Sequence, residues 1–263
     1  MRFRFLSVIL LVCGFSAAYG QDLRTGVPIE GGGYLAAGEC LAWLDTEGEI
    51  IRMRPLERPL TALVASDVGL YALDEEGREL LELDSDGNVL AQITLPVKGK
   101  LCDLAVSGNT LWAVTDAGEI LHGSVASGWT VFDFNSQYAG YYPQMSFRAV
   151  AAGGGSVMVA GMRPDGTPAA YTSSRGTVWN ERMLDYAEDG MPFMFSAEVT
   201  GLNYDPMQDR FYLLGTGGAQ LALPGCSHCN SLKRYPVDTL YTRISAGGSA
   251  LLLGSDGFRR VEP

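Results

Sequence analysis

The chain is short of lysine and histidine, and this scarcity narrows the range of its partners. It contains three lysines, Lys98, Lys100 and Lys233, and two histidines. The formal net charge is −11, because 30 acidic residues outweigh 19 lysines and arginines. An acidic surface repels phosphate backbones and anionic lipid, so nucleic acid is not an expected partner. Long hydrophobic runs are absent after the first twenty residues, and the sequence therefore predicts no transmembrane segment.

The first twenty residues have the pattern of a secretory signal peptide. Arg2 and Arg4 form a basic start, and an apolar stretch follows over residues 5–15. Ala18 and Gly20 are the small residues that a signal peptidase requires, which places the cleavage directly after Gly20.

This pattern sets the expected domains and location. We expect a signal peptide over residues 1–20 and a single domain over residues 21–263, either secreted or periplasmic. Cys13 raises a lipoprotein alternative, but the preceding Val12 is a poor fit to the small residue that such a site needs.

A glycine-terminated turn recurs along the chain and predicts the fold. In each case an apolar run ends in a short turn, usually with Asp or Ser, and a second strand follows. The turns end at Gly48, Gly77, Gly118, Gly166, Gly218 and Gly257. Periods near 40 residues with several strands per unit are typical of β-propellers. We predict an all-β propeller of six four-stranded blades, with five or seven blades as alternatives.

The ends of the chain suggest how the ring closes. A strand of small residues is predicted as the innermost strand of each unit, beginning with Leu35–Gly38 in the first. The last unit stops at Pro263 without a fourth strand. We predict that the N-terminal run ending at Glu30 supplies it, by pairing with residues 258–261.

One hairpin carries a family resemblance. Residues 172–179, Thr-Ser-Ser-Arg-Gly-Thr-Val-Trp, resemble the Asp-box (BNR repeat) of sialidase-like and YCF48-like propellers, although Ser174 stands where the Asp is expected. The resemblance implies a strand–turn–strand in which Gly176 takes a left-handed conformation and Trp179 covers an apolar face. It implies a propeller fold and no particular activity. Sialidase chemistry is not expected, because the Ile-Pro that should follow Arg148 is missing.

The cysteines and acidic turns predict structural roles. Cys226-Ser-His-Cys229 falls between two strands, which favours a small disulfide over a redox thiol pair or a metal site. Cys40 and Cys102 are a second candidate pair. The Asp-rich turn at residues 84–87 lacks a full calcium ligand set, so we expect no metal.

Two long loops supply the candidate binding residues. Each precedes an inner strand, and both are rich in Tyr, Phe and Met, which are common in recognition surfaces. Packing of the same side chains across the channel mouth is the alternative. The predicted ligand- or partner-binding residues are Tyr138, Tyr141, Tyr142, Met145, Arg148, Phe193 and Phe195.

These features predict a function class without a substrate. The chain offers no coherent nucleophile, acid–base pair or cofactor motif, so we assign no catalytic residue and expect no cofactor. We expect an exported, non-enzymatic propeller that binds another envelope or extracellular protein or assists envelope assembly. The alternative is a carbohydrate-binding or glycosidase-like propeller whose partner is a glycan.

Overall fold

A computed structural model describes residues 23–29, 32–67, 69–225, 229–246 and 249–261. The predicted signal peptide and the lipoprotein alternative at Cys13 lie outside the described residues. No helix in the described part of the chain is both long enough and apolar enough to cross a membrane.

The first three blades are built from consecutive antiparallel strands that run outward from the axis. Blade 1 contains β1 (Leu23–Pro28), β2 (Tyr34–Gly38), β3 (Cys40–Leu44) and β4 (Ile50–Pro55). Blade 2 contains β5 (Leu60–Ser66), β6 (Gly69–Asp74), β7 (Glu79–Leu83) and β8 (Val89–Thr94). Blade 3 contains β9 (Leu101–Ser107), β10 (Thr110–Thr115), β11 (Glu119–Ser124) and β12 (Gly128–Asp133).

The remaining blades follow the same order, interrupted by a short helix α1 (Phe134–Gln137) and an extra hairpin of β17 (Asp185–Glu188) and β18 (Met191–Met194). Blade 4 contains β13 (Ser146–Gly153), β14 (Ser156–Met162), β15 (Pro168–Ser173) and β16 (Asn180–Arg182). Blade 5 contains β19 (Val199–Asp205), β20 (Arg210–Gly215), β21 (Ala219–Pro224) and β22 (Ser231–Arg234). Blade 6 contains β23 (Leu240–Ala246), β24 (Ser249–Gly254) and β25 (Gly257–Val261). The predicted six-bladed, four-stranded propeller is confirmed, with three described strands in the sixth sheet.

The hydrophobic core is divided among the seams between neighbouring blades. Each seam has its own cluster of buried side chains, and the seam between blades 4 and 5 has the largest. The second strands of blades 3 to 6 are buried along almost their whole length because they lie between two seams. Their continuous apolar sequences match this position.

The recurring glycine turn joins a different pair of strands in the first blade than in the other five. All six glycines have positive φ, which a residue with a Cβ rarely adopts. From Gly77 onward, each turn joins the second strand to the third, whereas Gly48 lies between β3 and β4. The prediction that Leu35–Gly38 is an inner strand is therefore wrong, since it falls in β2. The inner strand is β1. Its Arg24 and Thr25 do not fit the pattern of small residues by which inner strands were predicted.

Ring closure also differs from the prediction. The N-terminal strand β1 pairs with β2, not with β25, so it adds no fourth strand to the last blade. Instead it lies at the axis, with its side chains in the seams toward both blade 6 and blade 2. At the closing seam, the hydroxyls of Tyr34 and Ser249 are 3.1 Å apart and Arg260 pairs with Glu47. The described strands of each blade are thus consecutive along the chain.

The Asp-box-like hairpin has the expected local geometry. It joins β15 to β16, and Ser173 Oγ accepts hydrogen bonds from the amides of Arg175 and Gly176. Gly176 has φ +74° and Trp179 is buried, with its indole N–H donating to the Gly176 carbonyl. The turn therefore fixes the edge of blade 4.

Candidate functional site

A ring of bulged residues surrounds one end of the central channel. Every inner strand contains a β-bulge one residue after its start in blades 1, 2, 3, 5 and 6, and two residues after it in blade 4. We call the face where the inner strands begin the upper face, and we call these six residues the bulge ring. Its members are Arg24, Thr61, Cys102, Arg148, Thr200 and Tyr241, and all six line the channel cavity.

Each bulge follows a large apolar residue that anchors the strand. The residue before the bulge is buried in every blade, at positions Leu23, Leu60, Leu101, Phe147, Val199 and Leu240. A bulge adds one residue to its strand without a partner in the ladder, so it can turn a side chain away from the sheet. Among the predicted binding residues, only Arg148 belongs to this ring. Each inner strand has one large apolar residue at or near its start, then one variable residue, then a run of mostly small or apolar residues. A search of the sequence for this repeated pattern would have located the other five bulged residues.

The channel is a cavity of about 510 Å³ with two arginines in its upper ring. Arg148 is exposed, and none of the described residues forms a hydrogen bond or ion pair with its guanidinium group. Arg24 Nη1 lies 2.7 Å from Glu75 Oε1, and both side chains are partly exposed. Lys100 donates from Nζ to the Glu75 carbonyl. The upper mouth therefore holds arginine and lysine cations beside the carboxylates of Glu75 and Asp116.

Below Arg148, the channel wall contains a single described carboxylate, that of Asp103. Its oxygens accept hydrogen bonds from the amides of Leu104 at 2.8 Å and Val150 at 2.9 Å. Burial raises the pKa of Asp103 to about 7, although the two amides act in the opposite direction. The bond to Val150 also ties blade 3 to blade 4.

The bulged thiol is poorly suited to nucleophilic chemistry. Burial, with the negative charge of Asp116, raises the pKa of Cys102 to about 11, and the opposing effect of Arg148 is smaller. Its Sγ lies 3.4 Å from the Lys100 carbonyl. Because the thiolate is the reactive form, Cys102 stays protonated and inert near neutral pH.

The lower part of the channel is held by a buried ion pair. Arg243 Nη2 lies 3.4 Å from Asp205 Oδ2, and both side chains are almost fully buried. The guanidinium also stacks on Tyr212, 4.2 Å from the ring centre, while Ser245 donates to the same carboxylate at 2.9 Å. Because its bonds are made within the wall, Arg243 fixes the seam between blades 5 and 6.

The first aromatic loop lies over the seam between blades 3 and 4. Tyr142 stacks on Phe134, with ring centres 5.9 Å apart, and the Tyr138 hydroxyl accepts from the Trp179 amide at 2.8 Å. Met145 is 2% exposed, so the expectation that it is an exposed contact residue is wrong. Its backbone amide and carbonyl both bond to the Asn135 side chain. The loop packs as the alternative interpretation predicted, and among its aromatic side chains only Tyr141, 76% exposed, is left largely in solvent.

The second aromatic loop is the β17–β18 hairpin. Its turn has positive φ at both Asp189 and Gly190, as in a type I′ turn. Phe193 is 44% exposed and stacks on Tyr186, whereas Phe195 is 4% exposed. The expected exposure of Phe195 is therefore wrong, because it packs at the hairpin base in the seam between blades 4 and 5.

Three exposed methionines lie on this hairpin or just before it. Met183, Met191 and Met194 are exposed by 53%, 61% and 61%. Asn230 anchors the base, because its Nδ2 donates to the carbonyls of Met183 and Asp185. We call the exposed set Met183, Met191, Phe193 and Met194 the hairpin patch. Neither Phe193 nor Tyr141 lines the channel, so the predicted residues do not form one site around its mouth.

The cysteine predictions have separate outcomes. Cys226 lies outside the described residues, so its disulfide with Cys229 stays a prediction. Cys40 lies in the core between blades 6 and 1, whereas Cys102 is in the bulge ring of blade 3. These blades are not neighbours, and the Cys40–Cys102 pair does not form. No cluster of metal-binding side chains occurs in the part of the chain that the structure describes.

Comparisons with known proteins identify the fold and no family. No protein-family model matches the chain, and no curated protein matches it. Among solved structures, virginiamycin B lyase from Staphylococcus aureus has a TM-score of 0.67 at 9% identity, covering 92% of this chain and 94% of that one.

Two further structures extend the likeness to propellers outside the lyases. One is from a nidogen/laminin complex, with a TM-score of 0.62 at 15% identity over 87% of this chain and 92% of that one. The other is the WD40 propeller domain of Doa1, with a TM-score of 0.62 at 10% identity over 90% and 77%. Likeness at such low identity shows the propeller fold alone. It does not support membership of the Asp-box family.

Proposed function

We propose that this protein is an exported, non-enzymatic propeller that binds another envelope or extracellular protein through the hairpin patch. The observation that carries the proposal is the exposure of Met191, Phe193 and Met194 on a hairpin outside the six blades, with the exposed Met183 just before it. Several large exposed apolar side chains within one short segment are typical of interaction sites. Methionine and aromatic residues are also enriched in protein interfaces.

The shape of the hairpin supports the same role. Its type I′ turn and the Asn230 anchor fix the strands, so a partner would meet a pre-organised surface. One neighbour in fold comes from a nidogen/laminin complex, which supports protein binding as a role for such a ring. Export rests on the sequence pattern of residues 1–20.

Glycosidase chemistry, the alternative function, has less support. Cleavage of a glycosidic bond ordinarily uses two carboxyl groups on either side of the bond. Among the described residues that line the channel, Asp103 is the only carboxylate. Among the described residues the channel lining also contains no histidine, because His122 stacks on Trp112 within blade 3.

Site-specific photocrosslinking tests the proposed interface. A photoreactive amino acid replaces Phe193 in protein expressed with its signal sequence, and Val178, an equally apolar exposed residue on another turn, is the control site. We expect one discrete crosslinked protein from Phe193, lost when Met191→Ser and Met194→Ser are combined. Equal crosslinking from both sites, or none from Phe193, refutes the interface. Glycan-array binding without a protein adduct would favour the carbohydrate alternative.

Export has its own measurement. N-terminal sequencing of the protein from an exported fraction should begin at Gln21. An intact Met1 in that fraction would contradict processing, and retention of all the protein inside the cell would contradict export.

A further inference from the structure

We propose that the bulge ring binds a small dicarboxylate across the channel mouth, with one carboxylate held by Arg24 and the other by Arg148. This site is separate from the hairpin patch and does not rest on the proposed function. Both arginines are bulged from inner strands at the same level of the ring, and both line the same cavity.

The order of the blades places the two cations opposite each other. Arg24 belongs to blade 1 and Arg148 to blade 4, so two blades separate them in either direction around a ring of six. A threonine follows each arginine in the ring, Thr61 in blade 2 and Thr200 in blade 5. The ring therefore has an approximate two-fold pattern, which suits a ligand with a charge at each end.

The arginines are the groups best able to bind anions. A guanidinium offers five N–H donors in a plane that matches a carboxylate. Arg148 has no described partner for them. Arg24 is paired with Glu75, but an exposed pair of this kind contributes only about 0–1 kcal/mol. The Arg24–Glu75 pair can therefore open at little cost, which frees the Arg24 guanidinium for a ligand carboxylate.

The ring between the two arginines is uncharged. Thr61 and Thr200 donate their hydroxyl hydrogens to the carbonyls of Asp74 and Leu240, so they offer a ligand only acceptor oxygens. The thiol of Cys102 stays protonated near neutral pH. This arrangement favours charge at the two ends of the ligand and a neutral chain between them.

The cavity below has room for the body of such a ligand. Its volume of about 510 Å³ falls in the range of small-molecule sites. Apolar side chains such as Leu104 and Val106 contribute to its walls. The single carboxylate, Asp103, already accepts two backbone hydrogen bonds, which reduces its repulsion of an incoming anion.

Isothermal titration at constant ionic strength tests the proposal with succinate, glutarate, adipate and pimelate. We expect one chain length to bind best, with a Kd below about 1 mM, and butyrate to bind at least about tenfold more weakly. Arg148→Ala should reduce dicarboxylate affinity by at least about tenfold, because it removes a set of charge-assisted hydrogen bonds. Arg24→Ala should do the same.

The control is Arg175→Ala, which removes an exposed arginine from the Asp-box-like turn and should leave affinity unchanged. Arg24→Lys supplements Arg24→Ala in case the alanine variant fails to fold, and should keep part of the affinity. Circular dichroism confirms that each variant is folded. The proposal is overturned by absence of binding at millimolar dicarboxylate, by equal binding of butyrate, or by full affinity in folded Arg148→Ala.

Discussion

Replacement of Asp103 by Asn should change how stability depends on pH. Asp103 is a carboxyl group that burial holds at a pKa of about 7, compared with an ordinary value of 3.8. The folded protein therefore keeps this proton to a higher pH than the unfolded chain does. Between about pH 4 and pH 7 the folded state holds more protons, so the contribution of Asp103 to stability falls as pH rises. Asn does not titrate, and the variant should lack this loss.

The expected magnitude follows from the two pKa values. Each tenfold change in a proton dissociation constant is equivalent to about 1.36 kcal/mol, so the interval from 3.8 to about 7 corresponds to about 4 kcal/mol. Asn keeps one acceptor oxygen and loses the other, which costs about 1–3 kcal/mol at every pH. The variant should thus be less stable than the parent at pH 4.5 and should gain on it steadily toward pH 8.

Urea unfolding at half-unit steps between pH 4.5 and 8 measures the effect. The quantity that matters is the difference in unfolding free energy between the parent and Asp103→Asn, because all other titrating groups cancel in it. Asn109→Ala, a change at an exposed side chain that does not titrate, is the control and should give a difference that does not vary with pH. Parallel curves for the parent and Asp103→Asn would refute the reasoning about the channel wall.

Three further predictions concern the loops, the cysteines and ring closure. Tyr141→Ala should change the free energy of unfolding by less than about 0.5 kcal/mol, whereas Phe195→Ala should cost about 3–5 kcal/mol in urea unfolding; equal effects would contradict their different burial. Cys226 and Cys229 should resist an alkylating agent until a reductant is added, and ready labelling of both beforehand would rule out the disulfide. Deletion of residues 21–30 removes the inner strand of blade 1 and should abolish cooperative thermal unfolding, so a truncated protein that melts like the parent would show that β1 is dispensable.

The sequence predicts the ring better than it predicts the first blade. Glycine turns and apolar second strands repeat because every blade needs a positive φ at its turn and buries its second strand between two seams. This repetition predicts six blades. Leu35–Gly38 looked like an inner strand because buried second strands and inner strands both favour small apolar residues. The true inner strand, β1, carries the charged residue Arg24 at its bulge. By hydrophobicity alone, this segment therefore resembles a loop.

The candidate site was less predictable because composition does not report exposure. Tyr142 and Met145 have the residue types of a recognition loop, yet Phe134 and Asn135 hold them against the blades. Phe193 and Phe195 are two residues apart in the second loop, yet only the first lies on the exposed part of the hairpin. The sequence singles out Arg148 as one cation. Its counterpart in blade 1, Arg24, is recognised only from the geometry of the ring.

Within the described residues, blades 6 and 1 are joined by side-chain packing alone, and this affects how the chain can be rearranged. No described strand of blade 1 belongs to the sheet of blade 6, so the order of the blades along the chain is not imposed by the order around the ring. New ends placed in the loop between β8 and β9, with the old ends joined by a flexible linker, should give a circular permutant with the same six blades. Other propellers complete the sheet of the last blade with a strand from the N-terminal end of the chain. In those proteins the same permutation would join that strand to the last blade through the linker. Here the seam between blades 6 and 1 would become an internal contact that is still made by side chains.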